Sequence, residues 1–255
     1  MKLQEMTWPE VARLDREKTV VVAPIAACEQ HSLHLPTFTD AILCGSIAEA
    51  VERNLSDRIL LLPTFWLGAS DHHLPFGATL SLTVDTHIQV LTELLSPMLD
   101  DGFKRCAILN GHGGNVDTLQ VALRRLQVQY PHCLLAGASY WELASRELAE
   151  LAKAERKEMG HACEFETSMI LHFRPDLVRT EKIKNDHQTT PEALRGLYLA
   201  QDMTQRTTQG CVGYPEAASA ESGKRFAEAI IARATEVLSC LGDMEVKPGR
   251  QRKNL

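Results

Sequence analysis

Cys106-Ala107-Ile108-Leu109-Asn110-Gly111-His112-Gly113-Gly114-Asn115 joins a short apolar run to a glycine-rich turn, and Val116 to Gln129 follows as a helix. Strand, tight turn and helix in that order are the repeating unit of a parallel α/β sheet. A second run, Val20-Val21-Val22-Ala23-Pro24-Ile25, opens in the same way onto Cys28-Glu29-Gln30-His31-Ser32-Leu33-His34-Leu35-Pro36-Thr37-Phe38-Thr39-Asp40. In an open parallel sheet the carboxyl ends of the strands share one edge, and ligands bind there. Two clusters far apart in sequence are therefore expected at one place in space.

Working outward, strands are expected at Val20 to Pro24, Ile59 to Pro63, Cys106 to Leu109 and Leu134 to Ala138. Apolar spacing of three and four residues predicts helices over Ala41 to Arg53 and Thr86 to Leu99. Further helices are expected over Glu142 to Lys157, Glu164 to His172 and Ala220 to Leu241, the last with Ser219-Ala220-Glu221-Ser222 suited to its N-terminal cap. Arg179 to Pro215 is polar and Thr-rich, which reads as a surface excursion, a lid or an oligomer arm. The basic end from Lys247 to Leu255 is expected to fray. No repeat or composition break divides the chain, so residues 1–255 are expected to form a single α/β domain.

The 255 residues are 44% apolar, enough to bury a core without disulfides. A formal charge of -6 without a basic stripe argues against a nucleic acid or a membrane surface as partner and favours a small molecule. Cys28, Cys44, Cys106, Cys133, Cys163, Cys211 and Cys240 are scattered and never paired as C-x-x-C. Together with an N-terminus lacking an apolar signal core, they imply a reducing cytoplasm. No apolar stretch approaches the roughly 20 residues needed to cross a bilayer.

Carboxylates mixed with imidazoles suit Zn, Mn or Fe better than Ca or Mg. Glu29, His31, Asp40 and His112 are the candidate ligands, and a short acid such as Asp40 can bridge two cations. The plainer reading of Asp40 is a helix cap. Glycines 111, 113 and 114 let the backbone approach whatever sits over the sheet edge, Gly113 being a candidate for substrate contact. The same turn could hold a phosphate, but it lacks the sixth-position glycine of the dinucleotide fingerprint, and the chain has no G-K-[ST]. A G-x-S-x-G elbow is also missing. His161 with Glu164 and Glu166 forms a third cluster at a helix start, whose plain reading is a capped helix with solvated acids. Asp71-His72-His73 reads more simply as surface histidines than as ligands, and His34 need not reach an ion shared with His31.

At these clusters the sequence resembles the creatininase family of metal-dependent amidohydrolases. The matching motifs are Glu29-Gln30-His31 with His34-Leu35-Pro36 and Thr39-Asp40, then Asn110 to Asn115, then His161 with Glu166-Thr167-Ser168. The resemblance extends from about Val20 to the terminal helix, through Gly213-Tyr214-Pro215. It implies a three-layer α-β-α sandwich, assembly as a homohexamer, and two divalent cations, Zn and/or Mn with Fe as a further option. Asp40 looks like the bridging ligand, Glu29 and His112 like ligands to one ion, and His31 like a ligand to the other. The His161 position resembles the family's catalytic proton shuttle. Creatininase carries a glutamate where this chain has Gly114, so Glu166, with Glu164 behind it, is the substitute ligand the resemblance suggests. Tyr140-Trp141 resembles the family's aromatic pair and is the candidate substrate-binding pair. A tryptophan shortly before the creatininase shuttle has no counterpart in Arg156-Lys157-Glu158-Met159-Gly160, which weakens creatinine itself as substrate. Relatives sharing the N-G-H-G-G-N turn include a formamide hydrolase and a peptide-trimming enzyme.

The expected reaction is hydrolysis of a non-peptide or cyclic amide, creatinine-like or a formamide, by a metal-activated water, with His161 delivering a proton to the departing nitrogen. The alternatives are a peptide-trimming member of the family, a non-catalytic nucleotide- or phosphate-binding regulator, and a structural metalloprotein.

Overall fold

The computed structural model describes residues 1–186, 194 and 197–247. The expected fraying tail beyond Lys247 and residues 187–193 and 195–196 of the polar excursion lie outside them. Helix α1 (Trp8–Ala12), which the apolar periodicity did not announce, starts on a Thr7–Glu10 capping box. Then follow β1 (Val20–Ile25), α2 (Thr39–Asn54), β2 (Ile59–Leu61), α3 (Val84–Asp100), β3 (Arg105–Asn110) and α4 (Val116–Gln129). The chain continues through β4 (Leu134–Ser139), α5 (Ser145–Leu151), α6 (Glu164–Phe173) and α7 (Ala220–Asp243). Ser219 caps α7 as expected, accepting from the Ser222 amide at 3.1 Å.

The four strands form one parallel sheet in the order β2-β1-β3-β4. Strands β1 and β3 are buried along their whole length, which is why each reads as an unbroken apolar run. Alternate residues separate two cores. Val20, Val22, Ala107 and Leu109 pack with α2, α6 and α7, whereas Val21, Ala23, Ile25, Cys106 and Ile108 pack against α3 and α4. Each fully buried Val, Leu or Ile contributes about 1.5–3 kcal/mol. The result is the expected α-β-α sandwich.

Register levels the strand ends, since Ile25 is paired with Asn110 and Asn110 with Ser139. From β1 the chain moves to one side for β2 and then to the other for β3, so the crevice between the β1 and β3 ends is a switch point.

The helix expected over Glu142 to Lys157 is shorter. After a 3-10 turn over Glu142–Ala144, α5 ends at Leu151. Beyond it the Lys153 and Ala154 amides donate to the Glu164 carboxylate at 2.8 and 2.9 Å, so a side chain outcompetes the helical ladder. The return limb of the Arg179 to Pro215 excursion goes inward: Met203, Thr207, Gly210 and Cys211 are buried. Among the described residues no helix is long and apolar enough to cross a membrane.

Candidate metal centre

The loop after β1 delivers Glu29 and His31, the first turn of α2 delivers Asp40, and the turn after β3 delivers His112. All four are buried, with exposures of 0, 1, 2 and 4%. Their functional atoms converge. His31 Nε2 lies 3.0 Å from Asp40 Oδ1, and His112 Nδ1 lies 3.2 Å from both Asp40 Oδ2 and Glu29 Oε1. Glu166, from the first turn of α6, brings Oε1 to 3.8 Å from His31 Nε2. His161 Nδ1 is 3.5 Å from Glu29 Oε1. Asp40 is not a cap, for it lies inside α2, whose N-cap position is Phe38, without a side-chain cap bond.

Backbone carbonyls orient the rings. His31 Nδ1 donates to Glu29 O at 3.1 Å, His112 Nε2 to Ala69 O at 3.2 Å and His161 Nε2 to Gln30 O at 2.7 Å. A carbonyl can only accept, so in the neutral ring the other nitrogen of each histidine carries the lone pair and faces the carboxylates. That is the usual outer-shell arrangement of metal-ligating histidines. Asn110 and Asn115 hold the turn itself. Asn110 brackets His112 by accepting from its amide at 3.1 Å and donating to its carbonyl at 2.7 Å. Asn115 ties Ala26 O to the Ala69 amide, each at 3.0 Å. Ser32 (φ 58°) and Ala162 (φ 47°), directly after His31 and His161, sit in the left-handed region that costs a non-glycine residue about 1–2 kcal/mol.

The donor set fits divalent cations. Both oxygens of Glu29, His31 Nε2 and Asp40 Oδ2 are buried without an aligned hydrogen bond, which is costly unless a cation meets them. Three groupings bring ligand atoms within 4.8 Å of one another: Glu29, Asp40 and His112; His31, Asp40 and Glu166; and Glu29, His31 and His161. Burial opposes charge on His112, yet Glu29 and Asp40 hold its pKa up at about 10. Burial likewise opposes charge on His31, and Asp40 with Glu166 overturns it, leaving the pKa well above the ordinary value. Despite burial, His31 and His112 push the Asp40 carboxyl below the usual carboxylate range. His161 differs: burial and the charge on His31 push it down to about 3, so it is a neutral base.

A cavity of about 1100 Å³ opens over this cluster, its outer wall including Asp71, His72, Trp141, Arg156, Tyr198 and Arg206. Gly113 and Trp141 line it. Tyr140, 1% exposed, packs in the core with its ring edge-on to Trp141 at 5.0 Å and does not reach the wall. Glu164 is not at the cluster, its oxygens being taken by Lys153 and Ala154. His34 turns away to Thr167 Oγ1 at 2.9 Å. No side chain fits at position 114, where a Cβ would stand 2.4 Å from Ala69 O and 2.7 Å from the His72 ring.

Two expectations at the site are overturned: Tyr140 is a core residue rather than a substrate contact, and His73 is not at the surface. His73 is 2% exposed rather than a surface residue, and its Nε2 stands 3.3 Å from Glu29 Oε1. The loop carrying it folds back over the sheet edge because the Ala69 and Ser70 backbone is held by Asn115 and Ser81. Its only sequence signal was a histidine pair beside an acid in the loop after the second strand.

Fold and cluster together define an α/β protein with a candidate two-cation centre at the carboxyl edge of a parallel sheet. A family model described as creatininase, creatinine amidohydrolase, matches residues 4–238, and the chain belongs to that hydrolase family. A mycofactocin precursor peptide peptidase of Mycobacterium ulcerans is 27% identical over 232 residues, 88% of this chain and 82% of that protein. The creatinine amidohydrolase of Pseudomonas putida is 25% identical over 247 residues, 89% of this chain and 92% of its own. Among solved structures, a creatininase superposes with a TM-score of 0.79 at 23% identity, covering 96% of this chain and 98% of its own. A creatininase mutant of Zn-Zn type and a Mn creatininase match at TM-scores of 0.76 and 0.77, each 22% identical and covering 93% of this chain and 96% of its own.

Proposed function

We propose that this protein is a metal-dependent amidohydrolase that cleaves an amide C-N bond. The observation that carries the reading is Asp40, whose two oxygens face different ligand sets: Oδ2 faces His112, with Glu29 beside it, and Oδ1 faces His31, with Glu166 beside it. A bridging carboxylate between two such sets is suited to two divalent cations, and Zn and Mn both accept these donors. When bound, such ions lower the pKa of a water to about 7 and polarise the amide carbonyl.

The chain's own groups supply the rest. Glu29, Asp40 and His112 would hold one cation, and His31, Asp40 and Glu166 the other. His161 is neutral, its Nε2-H spent on Gln30 O, so Nδ1 is free to take a proton at the cluster and return it to the leaving nitrogen. Trp141, Arg156 and Arg206 on the wall would orient the substrate.

The cavity bears on the kind of amide. At about 1100 Å³ it reaches the upper end of ligand pockets, which run from about 300 to 1,000 Å³, and it greatly exceeds a single small ring. We therefore extend the substrate class from small non-peptide amides to peptide-sized ones, in line with the peptidase relatives. The hexameric assembly implied by the resemblance belongs to the same reading, and light scattering tests it. The decisive experiment is metal quantitation on fresh protein, then assay of creatinine, formamides and short peptides with Zn or Mn restored. C-N cleavage that depends on added metal supports the proposal. A chain that stays empty in Zn and Mn overturns it.

A further inference from the structure

The Gln30 side chain stands between two candidate ligands and has no part in the chemistry above, and among the described residues His73 is the one buried imidazole at the cluster oriented differently from the others. We propose that Gln30 and His73 are a positioning pair for Glu29: Gln30 fixes the tautomer of His73, and His73 presents its Nε2-H to the Glu29 carboxylate instead of ligating a cation. The inference rests on Glu29 being a cation ligand.

The argument is one of hydrogen-bond satisfaction. Gln30 Oε1 accepts from the Ser32 amide at 2.8 Å, which fixes the orientation of the side-chain amide and leaves Nε2 as its donor. Three groups lie near that nitrogen: His73 Nδ1 at 2.9 Å, His161 Nε2 at 3.2 Å and Gly210 O at 3.3 Å. His161 Nε2 carries the hydrogen it gives to Gln30 O at 2.7 Å and cannot also accept. The two amide hydrogens therefore go to His73 Nδ1 and Gly210 O. With Nδ1 accepting, neutral His73 bears its hydrogen on Nε2, which lies 3.3 Å from Glu29 Oε1, a close contact short of an aligned hydrogen bond.

With a cation bound, His31, His112 and His161 would each give one N-H to a carbonyl and turn a lone pair to the cluster, whereas His73 would turn an N-H to it. A carboxylate oxygen has lone pairs for both an N-H and a cation, so His73 can aim Glu29 without displacing the ion. The return limb of the polar excursion clamps the pair. Gly210 (φ 83°) passes so close that a Cβ there would lie 2.0 Å from Gln30 Oε1. Thr207 Oγ1 accepts from the Gly210 and Cys211 amides at 3.1 Å and donates to Asp186 at 2.5 Å.

The tautomer is read by long-range 15N-1H correlation of the imidazoles in the unaltered, metal-stripped protein, with H73Q to assign the signal. Zn affinity of H73A and H73Q is then measured by chelator competition, and the Co2+-loaded forms by visible absorption. The expected results are hydrogen on Nε2 of His73, a loss in H73A of about 10- to 100-fold in Zn affinity, partial recovery in H73Q through its amide N-H, and a Co2+ band shape common to all forms. Q30E, which cannot donate to Nδ1, should move the hydrogen to Nδ1. Wild-type affinity in H73A, or a Co2+ spectrum that shows one nitrogen donor lost, overturns the pair. Hydrogen on Nδ1 with normal Zn uptake overturns it and spares the hydrolase reading. Hydrogen on Nε2 in a chain that takes up no Zn or Mn overturns the hydrolase reading and leaves the contact between His73 and Glu29 standing. If H73A does not fold, the tautomer of the unaltered protein and the affinity of H73Q decide.

Discussion

The floor of the cavity and its outer wall obey different rules. On the floor, Glu29, His31, Asp40 and His112 are buried, and the histidine rings are locked by backbone carbonyls. The wall at Asp71, Arg156 and Tyr198 is exposed, with Tyr198 80% accessible. The floor is held in one arrangement of a kind that suits cations, whereas the wall residues are held by less packing. The relatives named a precursor peptide peptidase and a creatinine amidohydrolase differ in the substrate their names state, and one fold can host different substrates through changes around a site.

Asp40→Asn should break the contrast most severely. Losing the shared carboxylate removes a ligand from both sets, so plasma emission analysis should find both ions reduced and turnover gone. His161→Ala keeps every proposed ligand, and turnover should fall roughly 10²- to 10⁴-fold with unchanged metal content. Equal loss of metal would place His161 among the ligands instead. Glu166→Gln touches one set only: a Zn titration should show one site kept and the other weakened. Trp141→Ala tests the wall, where KM should rise roughly tenfold, equivalent to about 1.4 kcal/mol, with kcat nearly constant. The smallest effect concerns the clamp behind the wall. Burial tends to raise the Asp186 pKa, but bonds from Thr207, Gln209 and Thr208 bring it below the ordinary value. A lowered folded-state pKa stabilises above the unfolded value of about 3.9 and is lost as pH falls through that region. Amide exchange at Thr208 and Gln209 should therefore quicken below about pH 4, ahead of exchange in β1 and β3.

Elements whose burial is uniform were legible. Val20 to Ile25 and Cys106 to Leu109 are apolar throughout because both faces of the sheet are covered, and runs of that kind have few other readings. The sequence also placed Glu29, His31 and His112 after strand ends and Asp40 at the start of the helix that follows the first, and parallel topology makes such ends neighbours. It did not show α1, whose five residues rest on a local cap, nor where α5 stops, which depends on a carboxylate ten residues downstream. His73 looked like surface because nothing within its own loop says that Asn115 will hold that loop down.

The sequence by itself therefore determined the alternation of strands and helices, the family and the chemical type of the centre, because periodicity and residue type are local properties that burial only reinforces. The tertiary structure alone decided which nitrogen of each histidine faces the carboxylates, and that His73 and Gln30 belong to the same cluster as the Glu166 the resemblance had already preferred to Glu164. For His73 and His112 those outcomes hang on single hydrogen bonds between residues 43 positions apart. Such bonds form only once the chain has folded, and no pattern along the sequence encodes their angles.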